Sequence, residues 1–179
     1  MFIDVYIPYA LDGNLAECYN DIMAESLSEW VLIVEHDVFL ACNPHWYEMC
    51  VVAVEKAPTN MGLITCVTSS RKIRDLRPQG ATFRRPGCDD LNEHVKMAKR
   101  NYKKHGNEIE VHNTKYMAGF FMLVRKTAWR KVKFEDQGKG VHKVDHAFCK
   151  ALMEAGYTIG VMKGLYVYHR RKVRELKWK

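Results

Sequence analysis

The sequence lacks several features that would point to particular classes of protein. No apolar stretch approaches the roughly 20 residues of a membrane-spanning helix, so no transmembrane segment is expected. The first residues, MFIDVYIPYALDG, have no basic segment before the apolar one, so they predict a first strand and not a signal peptide. The six cysteines include no C-x-x-C pair, which argues against a zinc ribbon or knuckle. Most of them lie in apolar runs, so we expect reduced thiols and a cytoplasmic protein.

Basic residues are scarce at the start of the chain and abundant later. Residues 1–70 hold one lysine against ten acids, a net charge of −9. Residues 71–105 hold eleven basic residues against four acids, and the last eleven residues, HRRKVRELKWK, hold six against one. Such runs are usually solvated faces. The alternative is a basic surface that attracts a phosphate-bearing ligand, a membrane surface or a nucleic acid.

The order of predicted elements favours an α/β domain, and 179 residues are enough for one domain with a core. Apolar, β-branched runs predict strands over 2–8, 30–34 and 62–68, and amphipathic patterns predict helices over 14–27 and from Asn43 and Pro44 to about Glu55. This alternation is typical of parallel strands joined by crossover helices. The elements predicted beyond them are a helix at 89–105, a strand at 116–124, a short helix at 126–132, a helix at 144–156 and two short strands, YTIGVM and LYVYH. The arginine-, proline- and glycine-containing segment 69–88 is predicted to be a long loop.

Two acids and a histidine, Glu35, His36 and Asp37, follow the buried strand 30–34. Ligands bind at the carboxyl ends of strands in parallel sheets, and carboxylate pairs suit Mg²⁺ or Mn²⁺. The pattern therefore predicts a metal site that binds a diphosphate. The alternative is a solvated turn in which Asp37 caps a short helix.

Two later residues add to this pattern. Asp145 begins a predicted helix, where it is either a helix cap or a general base that points into the cleft. His169 ends the last predicted strand, where it is either structural or a metal ligand through its neutral imidazole.

Taken together and in order, five stretches resemble GT-A-type nucleotide-sugar glycosyltransferases, in particular the compact inverting enzymes related to the family-two group. The stretches are VYIPYALDGNLAECYN, WVLIVEHDVF, GLITCVTSSR, AGFFMLVRKTAWRKVKF and VDHAFCKALMEAGYTIGVMKGLYVYHRR. They lie between Phe2 and Arg171, and residues 72–113 match poorly. The resemblance implies a single GT-A-like, Rossmann-like domain over residues 1–171, with a mostly parallel central sheet flanked by helices, and a basic tail at 172–179.

The resemblance also implies roles for individual residues. Asp37 would bind Mn²⁺ or Mg²⁺ directly, His169 would be a further metal ligand, and Glu35 would act on the donor ribose or on the metal through water. Asp145 matches the acid that serves as the catalytic base. Contacts with the nucleotide sugar are implied for a wider set: Pro8, Tyr9, Ala10, Asn14, Glu35, His36, Arg71, Ala118 and Gly119.

The chain departs from the family pattern in three places. Typical members have another strand and helix between the first strand and the acid-x-acid strand, so the nucleotide-binding half is abbreviated here. Glu35 stands where aspartate is common. Ala147 stands where many relatives have a second acid, so Asp145 would work without that neighbour.

These residues predict a metal-dependent inverting glycosyltransferase that moves a sugar from a nucleoside-diphosphate sugar to an acceptor hydroxyl. Its charge permits a glycan, a protein-linked glycan or modified DNA as the acceptor, and the basic tail could contact a membrane surface. One alternative is a metal-dependent nucleotidyl or phosphoryl transferase, which would need a cluster of carboxylates for two metals. The other is a non-enzymatic nucleic-acid-binding module, although aromatic residues do not interleave with the basic stretch 71–104.

Overall fold

One open β-sheet organises the part of the chain that the structure describes. The structure is a computed structural model, and it describes residues 2–10, 13–69, 78–81, 88–113, 117–136, 138 and 144–170. The eight strands are β1 (Ile3–Tyr6), β2 (Trp30–Val34), β3 (Val38–Phe39), β4 (Met61–Ser69), β5 (Gly80–Ala81), β6 (Ile109–His112), β7 (Phe121–Arg125) and β8 (Thr158–His169). The α-helices of this part are α1 (Leu15–Glu25), α2 (Trp46–Lys56), α3 (Leu91–His105), α4 (Lys126–Lys131) and α5 (Val144–Glu154).

The sheet is mixed, with the strand order β1-β2-β7-β4-β8-β3, while β5 pairs with β4 and β6 pairs with β8. The predicted α/β class is confirmed, and β1, α1 and β2 form the expected parallel unit with one crossover helix. The expected mostly parallel sheet is confirmed in part, because β7 lies between β2 and β4 and is antiparallel to both. Five of the eight strands, β1, β2, β4, β5 and β8, nevertheless run in the same direction. Their carboxyl ends therefore share one edge of the sheet.

Strand β2 is apolar throughout because both of its faces are covered. Val31 and Ile33 pack in the cluster that includes residues of α1 and α5, and Leu32 and Val34 pack in the cluster that includes residues of α2. All five residues of the strand are buried. Burying one such side chain stabilises a fold by roughly 1.5–3 kcal/mol. The buried strand therefore fixes the position of the polar residues that follow it.

The last strand differs from its prediction. The two short strands predicted in YTIGVM and LYVYH are one strand, β8, which is interrupted by a bulge. Cys66 of β4 pairs with Met162, and the next residue, Val67, pairs with Tyr166, so residues 163–165 are the extra ones. Gly164 lies in this bulge, where a Cβ atom would overlap the backbone of Gly106.

The observed starts of α2 and β7 differ from the predicted starts. Helix α2 begins at Trp46 and not at Pro44, because Asn43 makes a turn there: its side chain accepts from the His45 N–H and its carbonyl accepts from the Trp46 N–H. Strand β7 begins at Phe121, whereas the predicted strand began at residue 116, which lies outside the described residues. The described residues before β7, 117–120, form a loop that leads into the strand.

The remaining predictions on the fold concern cysteines, membrane spans and the tail. All six cysteines are free thiols, as expected. Among the described helices, none combines the length and the apolar composition that crossing a bilayer requires. The basic tail, 172–179, lies outside the described residues.

Candidate metal centre

Glu35 and Asp37 lie in a turn that carries the chain from the end of β2 to the end of β8. The Glu35 N–H donates to the carbonyl of Phe120, and the Val38 N–H donates to the carbonyl of Glu35. Strand β3 then pairs antiparallel with the end of β8, where Val38 lies opposite His169. This pairing brings His169 beside two acids that precede it by more than 130 residues in sequence.

The three side chains converge on one point. His169 Nε2 lies 3.1 Å from Glu35 Oε2 and 3.2 Å from Asp37 Oδ1. One ligand atom from each residue lies within 4.8 Å of the other two. Adjacent ligands of an octahedral cation with bonds of about 2.1 Å are about 3.0 Å apart, so this spacing fits a divalent cation. Two carboxylates and an imidazole suit Mn²⁺ or Mg²⁺ and also other first-row divalent metals.

Asp37 is the most deeply buried member of the group, with 3 % of its surface exposed. Neither of its carboxylate oxygens has an aligned hydrogen-bond partner among the described residues, although His169 Nε2 is close. A buried carboxylate without hydrogen bonds is costly unless a positive charge compensates it. A bound cation would supply that charge, so the burial of Asp37 fits a metal ligand better than a solvated turn.

The imidazole of His169 is held by the loop before β7 and by the residue that precedes it in β8. Its ring stacks on Phe120, with 5.4 Å between the ring centres. The preceding residue, Tyr168, stacks on the buried ring of His94 at 3.6 Å and donates a 2.6 Å hydrogen bond to Asp89. Helix α3 and the residues before it therefore fix the end of β8, and sequence patterns alone did not reveal this support.

Asp145 lies in the first turn of α5, and both of its oxygens accept hydrogen bonds from backbone N–H groups. Oδ2 accepts from Gly119 at 2.7 Å, and Oδ1 accepts from His146 at 2.8 Å. Burial raises the pKa of Asp145 above its ordinary value of 3.8, and the nearby charge of Glu35 acts in the same direction. His146 and the two N–H groups oppose this rise. One oxygen of Asp145 thus accepts an N–H of the first turn of α5. Gly119, which donates to the other oxygen, precedes Phe120, whose carbonyl accepts from the Glu35 N–H and whose ring stacks on His169, so Asp145 lies near the candidate metal centre.

Gly119 is a glycine for a steric reason. A Cβ atom at this position would lie 2.9 Å from the Asp145 Cβ, which is closer than side chains tolerate. The absence of a side chain therefore lets the Gly119 N–H reach the carboxylate of Asp145. This is the close approach to the backbone that a glycine before an apolar strand suggests.

Gln79 holds the residue before Gly119 and was missed by the sequence analysis. Its Oε1 accepts from the Ala118 N–H at 2.7 Å, and its Nε2 donates to the Ala118 carbonyl at 3.0 Å and to Thr65 Oγ1 at 2.7 Å. Gln79 is only 3 % exposed although it lies in the segment 69–88, which was predicted to be a loop. No pattern in the sequence marks a glutamine as buried, because its partners come from distant segments.

Other residues assigned to the nucleotide sugar lie outside this group. Pro8, Tyr9 and Ala10 follow β1 on the same edge of the sheet as Glu35, and Tyr9 is 81 % exposed. Asn14 caps α1, since its Oδ1 accepts from the Glu17 N–H at 3.1 Å. His36 is exposed in the turn and is not part of the converging group. Arg71 lies outside the described residues.

Neither a known family model nor a curated protein matches the chain. The site itself therefore provides the basis for a functional assignment. It offers two carboxylates and an imidazole for a divalent cation, and a further carboxylate whose pKa is raised by burial.

Proposed function

We propose that the chain is a metal-dependent inverting glycosyltransferase with a GT-A-like domain. It moves a sugar from a nucleoside-diphosphate sugar to an acceptor hydroxyl. The observation that carries the proposal is the convergence of Glu35, Asp37 and His169 near Asp145, which is a third, separately held carboxylate. A metal centre beside a candidate general base meets the two chemical needs of this reaction.

The first need is to stabilise the leaving group. A divalent cation, when bound, neutralises the charge of the departing nucleoside diphosphate. Glu35, Asp37 and His169 would hold Mn²⁺ or Mg²⁺, with the buried Asp37 as a direct ligand. Tyr9, exposed at the end of β1, offers an aromatic face for the nucleoside, and Pro8 and Ala10 flank it.

The second need is to activate the acceptor. Asp145 takes the proton of the acceptor hydroxyl while that oxygen attacks the anomeric carbon and the bond to the diphosphate breaks. One displacement of this kind inverts the anomeric configuration. The raised pKa of Asp145 supports the role, because a base is more effective when its pKa lies closer to the working pH. The backbone of Ala118 and Gly119 would lie beside the donor sugar.

Incubation with a panel of nucleotide sugars, with Mn²⁺ or Mg²⁺ and with a chelator, tests the proposal. We expect metal-dependent release of a nucleoside diphosphate from at least one donor, with faster release when an acceptor is added. The acceptor panel contains glycans, protein-linked glycans, DNA with hydroxylated bases and anionic vesicles that carry glycolipids. Release of pyrophosphate or phosphate from nucleoside triphosphates would instead indicate a nucleotidyl or phosphoryl transferase. Nucleic-acid binding with neither reaction would indicate a binding module.

A further inference from the structure

A cavity of about 340 Å³ lies between the end of α3, the bulge of β8 and the short strand β5. Four polar side chains line it: Asn101, Lys104, His105 and Lys163. Among the described residues that line the cavity, none is acidic. Its size is within the range of small-molecule sites, so it has room for a phosphate group and part of the molecule that carries it.

The cavity is separate from the candidate metal centre. None of its described lining residues is Glu35, Asp37 or His169, and Lys163 lies six residues before His169 in β8. The bulge at residues 163–165 turns this part of β8 away from regular pairing with β4. Bulges are common next to functional sites, and Lys163, the first residue of this bulge, lines the cavity.

Acidic residues outside the cavity lining hold two of its basic groups in place. Lys163 Nζ lies 3.0 Å from Glu110 Oε2, and His105 Nδ1 lies 2.8 Å from Glu108 Oε2. The side chains of Lys163 and His105 are each 21 % exposed, so they are less mobile than surface side chains. An ammonium has three N–H donors, and the contacts of Lys163 with Glu110 and with the Pro78 carbonyl use two of them.

The other two polar side chains that line the cavity are Lys104, which adds N–H donors, and Asn101, which holds the bulge in place. Lys104 makes no hydrogen bond or ion pair with another described residue, so its full charge is available to a ligand. Asn101 Nδ2 donates to the Lys163 carbonyl at 2.8 Å and so fixes the bulge against α3. Lys104 has no carboxylate partner among the described residues, and Lys163 has a third N–H donor beyond its contacts with Glu110 and Pro78. These two donors favour an anion, and phosphate accepts several charge-assisted hydrogen bonds at once.

We propose that this cavity binds a phosphate group and forms an anion site distinct from the metal centre. The phosphate belongs either to a small phosphorylated molecule or to the phosphodiester backbone of a nucleic-acid strand. Lys104 and Lys163 are the residues that recognise it. The site does not depend on the proposed glycosyl transfer, because neither donor sugar nor metal takes part in the binding.

The alternative explanation for these lysines is the dipole of α3, since basic residues in the last turn of a helix are favourable without any ligand. Lys103 provides a matched control for this explanation. It lies in the same last turn, is exposed and does not line the cavity. Lys103→Gln and Lys104→Gln therefore make the same change in charge on the same turn, and only one of them alters the cavity.

The experiment is a titration of the full ¹⁵N-labelled chain with inorganic phosphate, followed by amide chemical shifts, without divalent metal and at constant ionic strength. We expect saturable shifts at Gly80, Asn101 and Lys163. Lys104→Gln and Lys163→Gln should each weaken phosphate binding by about tenfold, the effect of losing one charge-assisted hydrogen bond. Lys103→Gln should stay within twofold of wild type.

Absence of saturable shifts, or an equal loss in Lys103→Gln, would overturn the proposal. Lys104→Gln keeps the test valid if Lys163→Gln unfolds, because Lys104 is exposed. A second titration with a short oligodeoxynucleotide, at equal phosphate concentration, identifies the source of the ligand. Tighter binding with the same dependence on Lys104 indicates a nucleic-acid strand, and weaker binding indicates a small phosphorylated molecule. Failure of the nucleotide-sugar assays would leave these results unchanged.

Discussion

The backbone N–H of Gly119 donates a 2.7 Å hydrogen bond to Oδ2 of Asp145 and connects the loop before β7 to the start of α5. Substitution Gly119→Ala tests this contact, because the added Cβ would lie 2.9 Å from the Asp145 Cβ. We expect turnover to fall about 10²-fold, which is typical when a reacting group is displaced by about 1 Å. Metal affinity, measured by calorimetry, should stay unchanged. Equal turnover in Gly119→Ala and wild type would show that catalysis does not depend on the position of Asp145.

Asp145→Asn separates the role of a base from that of a helix cap. Turnover should fall by about 10²–10⁴-fold if Asp145 removes the acceptor proton. The variant should also lose about 1–3 kcal/mol of unfolding free energy, because both oxygens of Asp145 accept N–H groups and an amide offers only one acceptor oxygen. Turnover is therefore measured at a temperature where denaturation curves show that the variant is folded.

Asp90→Asn is the matched control for this substitution. Asp90 caps α3 and accepts from the Asn92 N–H through one oxygen, which asparagine retains. Stability and turnover should both be close to those of wild type. If Asp145→Asn has turnover within a few-fold of wild type, Asp145 is not the base, and Asp136 and Glu135 become the next candidates.

The pH dependence of turnover should report the ionisation of Asp145. Burial raises its pKa above 3.8, and only the ionised form can accept a proton, so activity should be lost as pH falls through this raised value. The titratable groups that act on Asp145 or respond to its charge are His146, Glu35, Tyr19 and Cys149. In the metal-free protein, an NMR titration should therefore place the pKa of Asp145 above that of an exposed aspartate. A bound divalent cation would lower this pKa, so the acidic limb of kcat/KM should lie at lower pH than the metal-free titration.

Gln79→Leu should shift the acidic limb of the kcat/KM pH profile to higher pH. The substitution removes both hydrogen bonds that fix Ala118, so the Gly119 N–H is held less firmly against Asp145. That N–H lowers the pKa of Asp145, so weakening it should raise the pKa and shift the acidic limb to higher pH. A purely structural role for Gln79 would lower stability and leave the limb in place. A limb that stays fixed or moves to lower pH would contradict the positioning role.

Gly164→Ala tests the bulge in β8. A Cβ atom at this position would overlap the carbonyl of Gly106, so α3 and β8 would have to separate. Overpacking of this kind costs about 1–3 kcal/mol of unfolding free energy, which urea denaturation can measure. A change of less than about 0.5 kcal/mol, the usual range for surface substitutions, would show that the two segments do not approach so closely.

Elements that are determined by residues close together in the chain could be predicted from the sequence. The apolar run from Trp30 to Val34 indicated a buried strand, and it is β2. The helix predicted over 89–105, with Asp89 or Asp90 at its start and Gly106 at its end, is α3, since capping aspartates and terminal glycines act within a few residues. The turn with Glu35 and Asp37 was also predictable, since two acids directly after a buried strand are unusual.

Features that depend on long-range pairing were not predictable in this way. The antiparallel insertion of β7 between β2 and β4 and the pairing of β3 with β8 join segments that are far apart in sequence. The burial of Gln79 depends on partners in β4 and in the loop before β7. The position of His169 left a structural role and a metal ligand both open, and the family resemblance favoured the ligand; the structure adds that its Nε2 faces both carboxylates.

The central claim is that Asp37 binds a divalent cation that holds a nucleoside diphosphate, and calorimetry of Asp37→Asn tests it most directly. Nucleoside diphosphates are titrated with and without Mn²⁺ into wild type, Asp37→Asn and Asp21→Asn, the last being an exposed control in α1. We predict that Mn²⁺ strengthens binding to wild type and to Asp21→Asn. In Asp37→Asn, the increase in nucleoside-diphosphate affinity that Mn²⁺ causes should fall by at least about tenfold. Even the loss of a residue that only supports a metal ligand lowers metal affinity or activity by about 10–100-fold. An unchanged metal-dependent affinity in Asp37→Asn would contradict the metal centre and the function built on it.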